Sequence, residues 1–64
     1  MDTTRYERRH GHPPKGGESW AFTLRKDGWD FETIFLYRPT YAEARQAAKA
    51  IACHKGAETI FVEP

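Results

Sequence analysis

The stretch that decides the fold is SWAFTLRKDGWDFETIFLYR, residues 19–38. Apolar and polar residues alternate along residues 19–25 and again along residues 29–38, which is the period-2 pattern of a β-strand. Between the two runs lies Asp27-Gly28, a pair that favours a type I′ turn because both of its positions take positive φ. The stretch therefore predicts a β-hairpin.

A two-residue turn at Asp27-Gly28 fixes the pairing of the two strands. Counting outward from it, Arg25 faces Asp30 and Trp20 faces Phe35. One face of the hairpin then holds the large apolar side chains, and we expect it to form the core: Trp20, Phe22, Leu24, Trp29, Phe31, Phe35 and Tyr37. The other face is polar near the turn and apolar at its far end, where it holds Ala21, Ile34 and Leu36.

A helix and a third strand follow the hairpin. Thr40 and Glu43 match a capping box at a helix start, and Gly56 suits the position just after the helix end. Between them, an apolar stripe at helical spacing is formed by Tyr41, Ala44, Ala48 and Ile51. Residues 59–62, Thr-Ile-Phe-Val, predict a short strand. The predicted fold is α+β in the order β-β-α-β: a three-stranded, mainly antiparallel sheet with one helix packed on one face.

Length and composition exclude several classes of protein. A chain of 64 residues forms one small domain, which excludes multi-domain enzymes. A net charge of +1 excludes a wholly basic nucleic-acid tail and an acidic mimic of DNA, and a single cysteine excludes an internal disulfide. No segment approaches the roughly 20 apolar residues of a membrane helix. The N-terminus also lacks the apolar run of a signal peptide, so we expect a cytoplasmic protein.

Residues 1–17 differ in composition from residues 18–64. They hold four Lys or Arg residues against two acidic residues, together with Pro13, Pro14 and several glycines. Only Met1 and Tyr6 are apolar in this segment, which leaves little surface to bury. We therefore predict a flexible basic N-terminal arm, residues 1–17, followed by a single small α+β domain, residues 18–64.

No spacing of chemically active residues matches a catalytic motif. Cys53 and His54 are neighbours, and His10 and His12 are two apart, whereas zinc ligands occur at wider spacings. The end of a helix also disfavours a thiolate at Cys53. We expect no enzymatic activity, no metal and no cofactor. The alternative, a metal-dependent enzyme using these four residues, predicts stoichiometric zinc.

An apolar sheet face and a group of cations point to binding instead. A single helix covers one face of the predicted sheet, so Ile34, Leu36 and Phe61 would lie bare on the other. We predict that these three residues anchor a protein or nucleoprotein partner, with Arg45 and Lys49 supplying polar contacts. Two alternatives stay open, namely that the arm folds back over this face and that an open edge or the bare face forms a homodimer.

Direct nucleic-acid binding is the second hypothesis. Arg45 and Lys49 lie one turn apart on the predicted helix, and the arm adds Arg5, Arg8 and Arg9. Such cations neutralise phosphates, so this hypothesis predicts an affinity that falls steeply as salt rises.

Two resemblances add to this interpretation. The run Trp20…Gly28-Trp29…Thr40-x-x-Glu43-Ala44…Gly56-Ala57-Glu58 resembles short bacterial domains of unknown function, which share the hairpin, the T-x-x-E-A helix start and the G-A-E lead-in to the last strand. In architecture alone, the chain is similar to phage-encoded inhibitors of bacterial defence complexes, the anti-CRISPR proteins. That likeness implies a small rigid body that blocks a surface of a CRISPR–Cas complex, and it carries over no functional residue. The leading hypothesis is a non-catalytic binding protein that docks on a protein or nucleoprotein partner, and the second resemblance adds inhibition of a CRISPR–Cas complex as one mode of action.

Overall fold

The computed structural model describes residues 1–64. Its elements are α1 (Thr4–His10), β1 (Ser19–Lys26), β2 (Trp29–Tyr37), α2 (Tyr41–Lys55) and β3 (Thr59–Val62). The strands form one antiparallel sheet in the order β2-β1-β3, and α2 packs on one face of it. The predicted α+β fold is confirmed. Neither helix has the length and apolar character needed to cross a membrane. We call the sheet face opposite α2 the open face.

Local sequence signals define the ends of the elements as predicted. Asp27 and Gly28 have φ values of 54° and 73°, which places the two-residue turn between β1 and β2. The Thr40 hydroxyl accepts a hydrogen bond from the Glu43 backbone N–H at 3.3 Å, so Thr40 caps α2. Gly56 ends the helix in the left-handed region, with φ of 74°.

The hairpin register changes one step beyond the turn. Arg25 pairs with Asp30 as predicted, but Leu24 pairs with Glu32 and not with Phe31. Between these two pairs β1 advances by one residue, whereas β2 advances by two. Phe31 is therefore the extra residue of a β-bulge in β2 and has no partner in β1. Because side chains alternate between faces, one extra residue moves every later side chain of β2 to the other face.

The bulge reverses the predicted faces of β2. Ile34 pairs with Phe22 and Leu36 with Trp20, so both aliphatic side chains lie on the α2 side and pack against the core. Their predicted position on the open face is wrong. The predicted core positions of Phe35 and Tyr37 are also wrong, since their side chains are 80% and 69% exposed on the open face. Trp29 and Phe31 are likewise exposed and outside the core.

The core lies between α2 and the sheet. Phe22, Leu24 and Val62 are its largest fully buried side chains. The helix contributes only small residues that are buried, Ala44, Ala48 and Ala52, which lets its backbone lie close to the strands. Ile34, Leu36, Tyr41 and Ile60 pack around this core and are partly buried.

Residues 1–10 join the sheet at the outer edge of β3. The Asp2 backbone N–H donates to the Ile60 carbonyl at 2.8 Å, and the Val62 N–H donates to the Asp2 carbonyl at 2.9 Å. Helix α1 then places Tyr6, 9% exposed, in the core cluster with its ring 5.8 Å from the Trp20 ring. The sequence does not predict this helix, because one apolar residue among its seven gives no helical periodicity. The flexibility predicted for residues 1–17 stays a prediction.

Replacing Tyr6 tests whether this segment is part of the folded unit. We expect Tyr6→Ala to lower the free energy of unfolding by about 3 to 5 kcal/mol, the range for truncating a large aromatic side chain in a core to alanine. The exposed neighbour Arg8 is the control, and Arg8→Ala should change stability little. Urea unfolding followed by circular dichroism measures both. Equal stability of the two variants would show that Tyr6 does not pack in solution.

Candidate functional site

The open face is the part of the molecule that α2 leaves uncovered. Strand alternation places on it Ala21, Thr23 and Arg25 of β1, Thr33, Phe35 and Tyr37 of β2, and Phe61 of β3, with Asp30 beside the turn. A hydrogen bond of 3.1 Å joins the hydroxyls of Thr23 and Thr33 at its centre. The two ends of the face differ in chemistry.

Charged groups cover the open face from the turn to the ring of Phe61, and Arg5 connects them to Glu63. The Arg5 guanidinium bonds Glu63 at 2.5 Å and lies 3.7 Å from Asp30, which also accepts from the Arg25 Nε at 2.6 Å. Both guanidinium groups lie over the Phe61 ring, at 4.2 and 4.4 Å from its centroid. Phe61 is on the predicted face but only 8% exposed, so its predicted role as a bare anchor does not match its burial.

These ion pairs favour the charged forms of Asp30 and Arg5. The hydrogen bond from Arg25, followed by the charge of Arg25 and then of Arg5, lowers the pKa of Asp30. The hydrogen bond to Glu63 is the largest cause of the raised pKa of Arg5. Arg5 is therefore already occupied by carboxylates, and a phosphate would compete with both of them for its guanidinium.

Aromatic side chains dominate the other end of the open face. Phe35 is 80% exposed and Tyr37 is 69% exposed. Beside them lies a groove of about 470 Å³, walled by Tyr6 and His10 of α1 on one side and by Ala21 and Phe35 on the other. Lys15 and Glu63 also line this groove, so its rim carries both signs of charge. We call Phe35, Tyr37 and this groove the aromatic groove.

Neighbouring polar groups orient the rings of the aromatic groove. The Tyr37 hydroxyl donates a hydrogen bond to the Glu18 carboxylate, which raises the pKa of Tyr37 and keeps its ring neutral. Tyr6 stacks on His10 with centroids 4.1 Å apart and contacts the edge of His12 at 5.8 Å. These contacts fix the groove wall.

The buried indole of Trp20 carries the one buried side-chain polar atom without a hydrogen-bond partner, its Nε1. Trp20 lines the aromatic groove and packs on the Tyr41 ring at 5.1 Å. Gly17 lies against the same indole, where a Cβ would approach it to 3.4 Å. A buried donor left unpaired destabilises the free protein by about 1–3 kcal/mol.

The remaining predicted site residues are spread over the molecule. Ile34 and Leu36 pack against the core, while Arg45 and Lys49 are exposed on α2, on the far side of the sheet from the aromatic groove. Arg8 and Arg9 are exposed in the last turn of α1. Of the predicted anchors and cations, the structure brings only Phe61 and Arg5 together on the open face.

The candidate metal ligands do not converge either. His10 and His12 have ring centroids 5.8 Å apart beside Tyr6, whereas Cys53 and His54 lie in the last turn of α2 and are exposed. No group of three or more His, Cys, Asp or Glu side chains is placed to hold a metal ion.

No family model, no curated protein and no solved structure matches the chain. The geometry of the open face is thus the basis for assigning a function.

The acid sensitivity of the Asp30 cluster is testable. Because the folded pKa of Asp30 lies below its unfolded value, its ionised form stabilises the fold at neutral pH, and this stabilisation is lost as pH falls through the folded pKa. Asp30→Asn should therefore lower stability most at neutral pH and progressively less in acid. Urea midpoints of both proteins across the acid range measure this, and a difference independent of pH would contradict it.

Proposed function

We propose that this chain is a non-catalytic binding protein that docks on a protein partner through the aromatic groove. The observation that carries the proposal is the exposure of Phe35 and Tyr37, 80% and 69%, on the uncovered face of an otherwise packed sheet. The non-catalytic part rests on the sequence, which holds no spacing typical of a catalytic motif. The class of function is the one predicted from the sequence, with different anchor residues.

Burial of the aromatic rings supplies the driving force for docking. Removing a Phe side chain from water gains about 1.5–3 kcal/mol, and aromatic residues are enriched among those that dominate binding energy. Phe35 and Tyr37 are held by a paired strand, and Glu18 restrains the Tyr37 ring. Little side-chain freedom is therefore lost when a partner covers them.

The charges around the aromatic groove favour a protein partner. Lys15 and Glu63 line the groove, and the Glu18 carboxylate lies at the Tyr37 hydroxyl. A phosphate backbone would meet these carboxylates, whereas a protein segment with an apolar side chain and polar flanks finds partners of both signs. We therefore propose an apolar protein segment as the occupant.

Fewer observations support the other two functional hypotheses. Nucleic-acid binding through Arg8, Arg9, Arg45 and Lys49 stays a prediction, and Arg5 is engaged by Glu63 and Asp30. Inhibition of a CRISPR–Cas complex also stays a prediction, because it rests on architectural resemblance and on no residue of this chain.

Selection from a displayed random-peptide library tests the proposal. We expect the selected peptides to share an aromatic or large aliphatic residue and to shift the backbone NMR signals of Ala21, Phe35 and Tyr37. Phe35→Ser should reduce their affinity at least tenfold, which corresponds to about 1.4 kcal/mol. The matched control is Trp29→Ser, because Trp29 is 72% exposed on the same strand but lies at the turn.

Two outcomes would contradict docking through the aromatic groove. One is a set of peptides whose binding is equally sensitive to Phe35→Ser and Trp29→Ser. The other is binding of a labelled single-stranded oligonucleotide that shifts the Phe35 and Tyr37 signals and weakens steeply between about 50 and 200 mM salt. The second outcome would assign the rings to base stacking and favour the nucleic-acid hypothesis.

A further inference from the structure

The sheet has one protected edge and one bare edge. At the β3 edge, Asp2 forms backbone hydrogen bonds with Ile60 and Val62, and α1 packs beside them. At the β2 edge, no backbone segment pairs with the strand. A bare edge strand presents unpaired N–H and C=O groups that accept a further strand.

The phase of the β1–β2 ladder shows which groups point outward. The Arg38 N–H donates to the Glu18 carbonyl at 2.6 Å, so residue 38 bonds inward, toward β1. Inward-bonding and outward-pointing residues alternate in an antiparallel pair. Thr33, Phe35 and Tyr37 therefore present their backbone groups to the bare edge. One of these groups, the Tyr37 carbonyl, accepts a hydrogen bond from the Arg38 Nη1 at 2.8 Å.

The usable length of this edge is set by two irregularities. The bulge at Phe31 interrupts the strand on one side. Pro39 ends it on the other, because proline has no N–H to donate. Residues 32–38 remain, and Phe35 is the midpoint of this segment.

We propose that the β2 edge pairs antiparallel with the β2 edge of a second copy of this chain, about a two-fold axis at Phe35. This register brings each outward-pointing residue opposite another outward-pointing residue. It sets Phe35 opposite Phe35, Thr33 opposite Tyr37 and Ile34 opposite Leu36. The result is a six-stranded sheet.

Charge complementarity supports this register over its neighbours. With the axis at Phe35, Glu32 of each copy lies opposite Arg38 of the other, so unlike charges meet at both ends of the pairing. Lys55 already bonds the Glu32 Oε1 at 2.8 Å, which leaves the Glu32 Oε2 to accept from Arg38. Moving the axis to Ile34 sets Glu32 opposite Leu36, and moving it to Leu36 sets Ile34 opposite Arg38. Only the axis at Phe35 matches apolar with apolar and acid with base.

The dimer goes beyond the proposed docking function and rests on a different observation, the unpaired backbone of β2. Phe35 and Tyr37 belong to both surfaces, since their side chains form the aromatic groove and their backbone lies in the dimer seam. The association state is measured without peptide, so failure of the dimer and failure of peptide docking remain distinguishable.

Cysteine cross-linking tests the register. The exposed native thiol is first removed by Cys53→Ser. In that background Phe35→Cys places two thiols on residues whose Cα atoms are about 5.5 Å apart, which is within disulfide range. We expect oxidised glutathione to convert this variant to a covalent dimer. Thr33→Cys or Tyr37→Cys alone should stay monomeric on denaturing gels, because identical positions are then about 13 Å apart, while a mixture of the two should cross-link.

Trp29→Cys is the matched control, because Trp29 is on the same strand and exposed but lies outside residues 32–38. Cross-linking at Trp29 as fast as at Phe35 would overturn the proposal, as it would show random collision. Failure of the Thr33→Cys and Tyr37→Cys mixture to cross-link would also overturn the register.

Sedimentation equilibrium of the unmodified chain gives a second readout. We expect the mass to rise with concentration from 7.4 kDa toward twice that value. Arg38→Glu sets a carboxylate opposite Glu32 and should weaken association several-fold. Arg8→Glu, the same charge change on α1, should leave association unchanged. A mass of 7.4 kDa at every concentration would overturn the dimer whatever the peptide selection shows.

Discussion

One extra residue, Phe31, sets the phase of β2, and most of the molecule depends on it. On the turn side of the bulge, Asp30 stays on the open face and bonds Arg25. Beyond the bulge, Glu32 turns to the α2 side, where Lys55 bonds it at 2.8 Å and ties the helix end to the sheet. The aliphatic residues that follow fit against the alanines of α2, and the aromatic residues are left outside.

The N-terminal segment, residues 1–10, covers the β3 edge of the sheet and adds Tyr6 to the core. Successive residues of α1 act on different parts of the sheet: Arg5 lies over Phe61 on the open face, and Tyr6 enters the core beside Trp20. A seven-residue helix has little stability of its own, so these contacts and the Asp2 pairing are what hold it. The segment in turn supplies one wall of the aromatic groove.

The features that the sequence predicted correctly are those encoded by neighbouring residues. The Asp27-Gly28 turn, the Thr40 cap and the β3 strand each rest on a few adjacent side chains. The bulge has no such marker, since Phe31 is neither a glycine nor beside one, and it emerges from packing between β2 and α2. The prediction therefore places the anchors Ile34 and Leu36 on the wrong face, because the face that a β2 side chain occupies depends on the register of the whole strand. Helix α1 was not predicted for a related reason, because its contacts are with residues distant in the chain.

The unequal edges of the sheet also determine how far any strand pairing can grow. A sheet with one free edge has a valence of one, so pairing with another strand consumes that edge and assembly stops. The backbone bonds of Asp2 are thus a chain terminator in the sense of polymer chemistry. Without that pairing the sheet would have a valence of two, and the same edge chemistry would then lead to filaments instead of a finite particle.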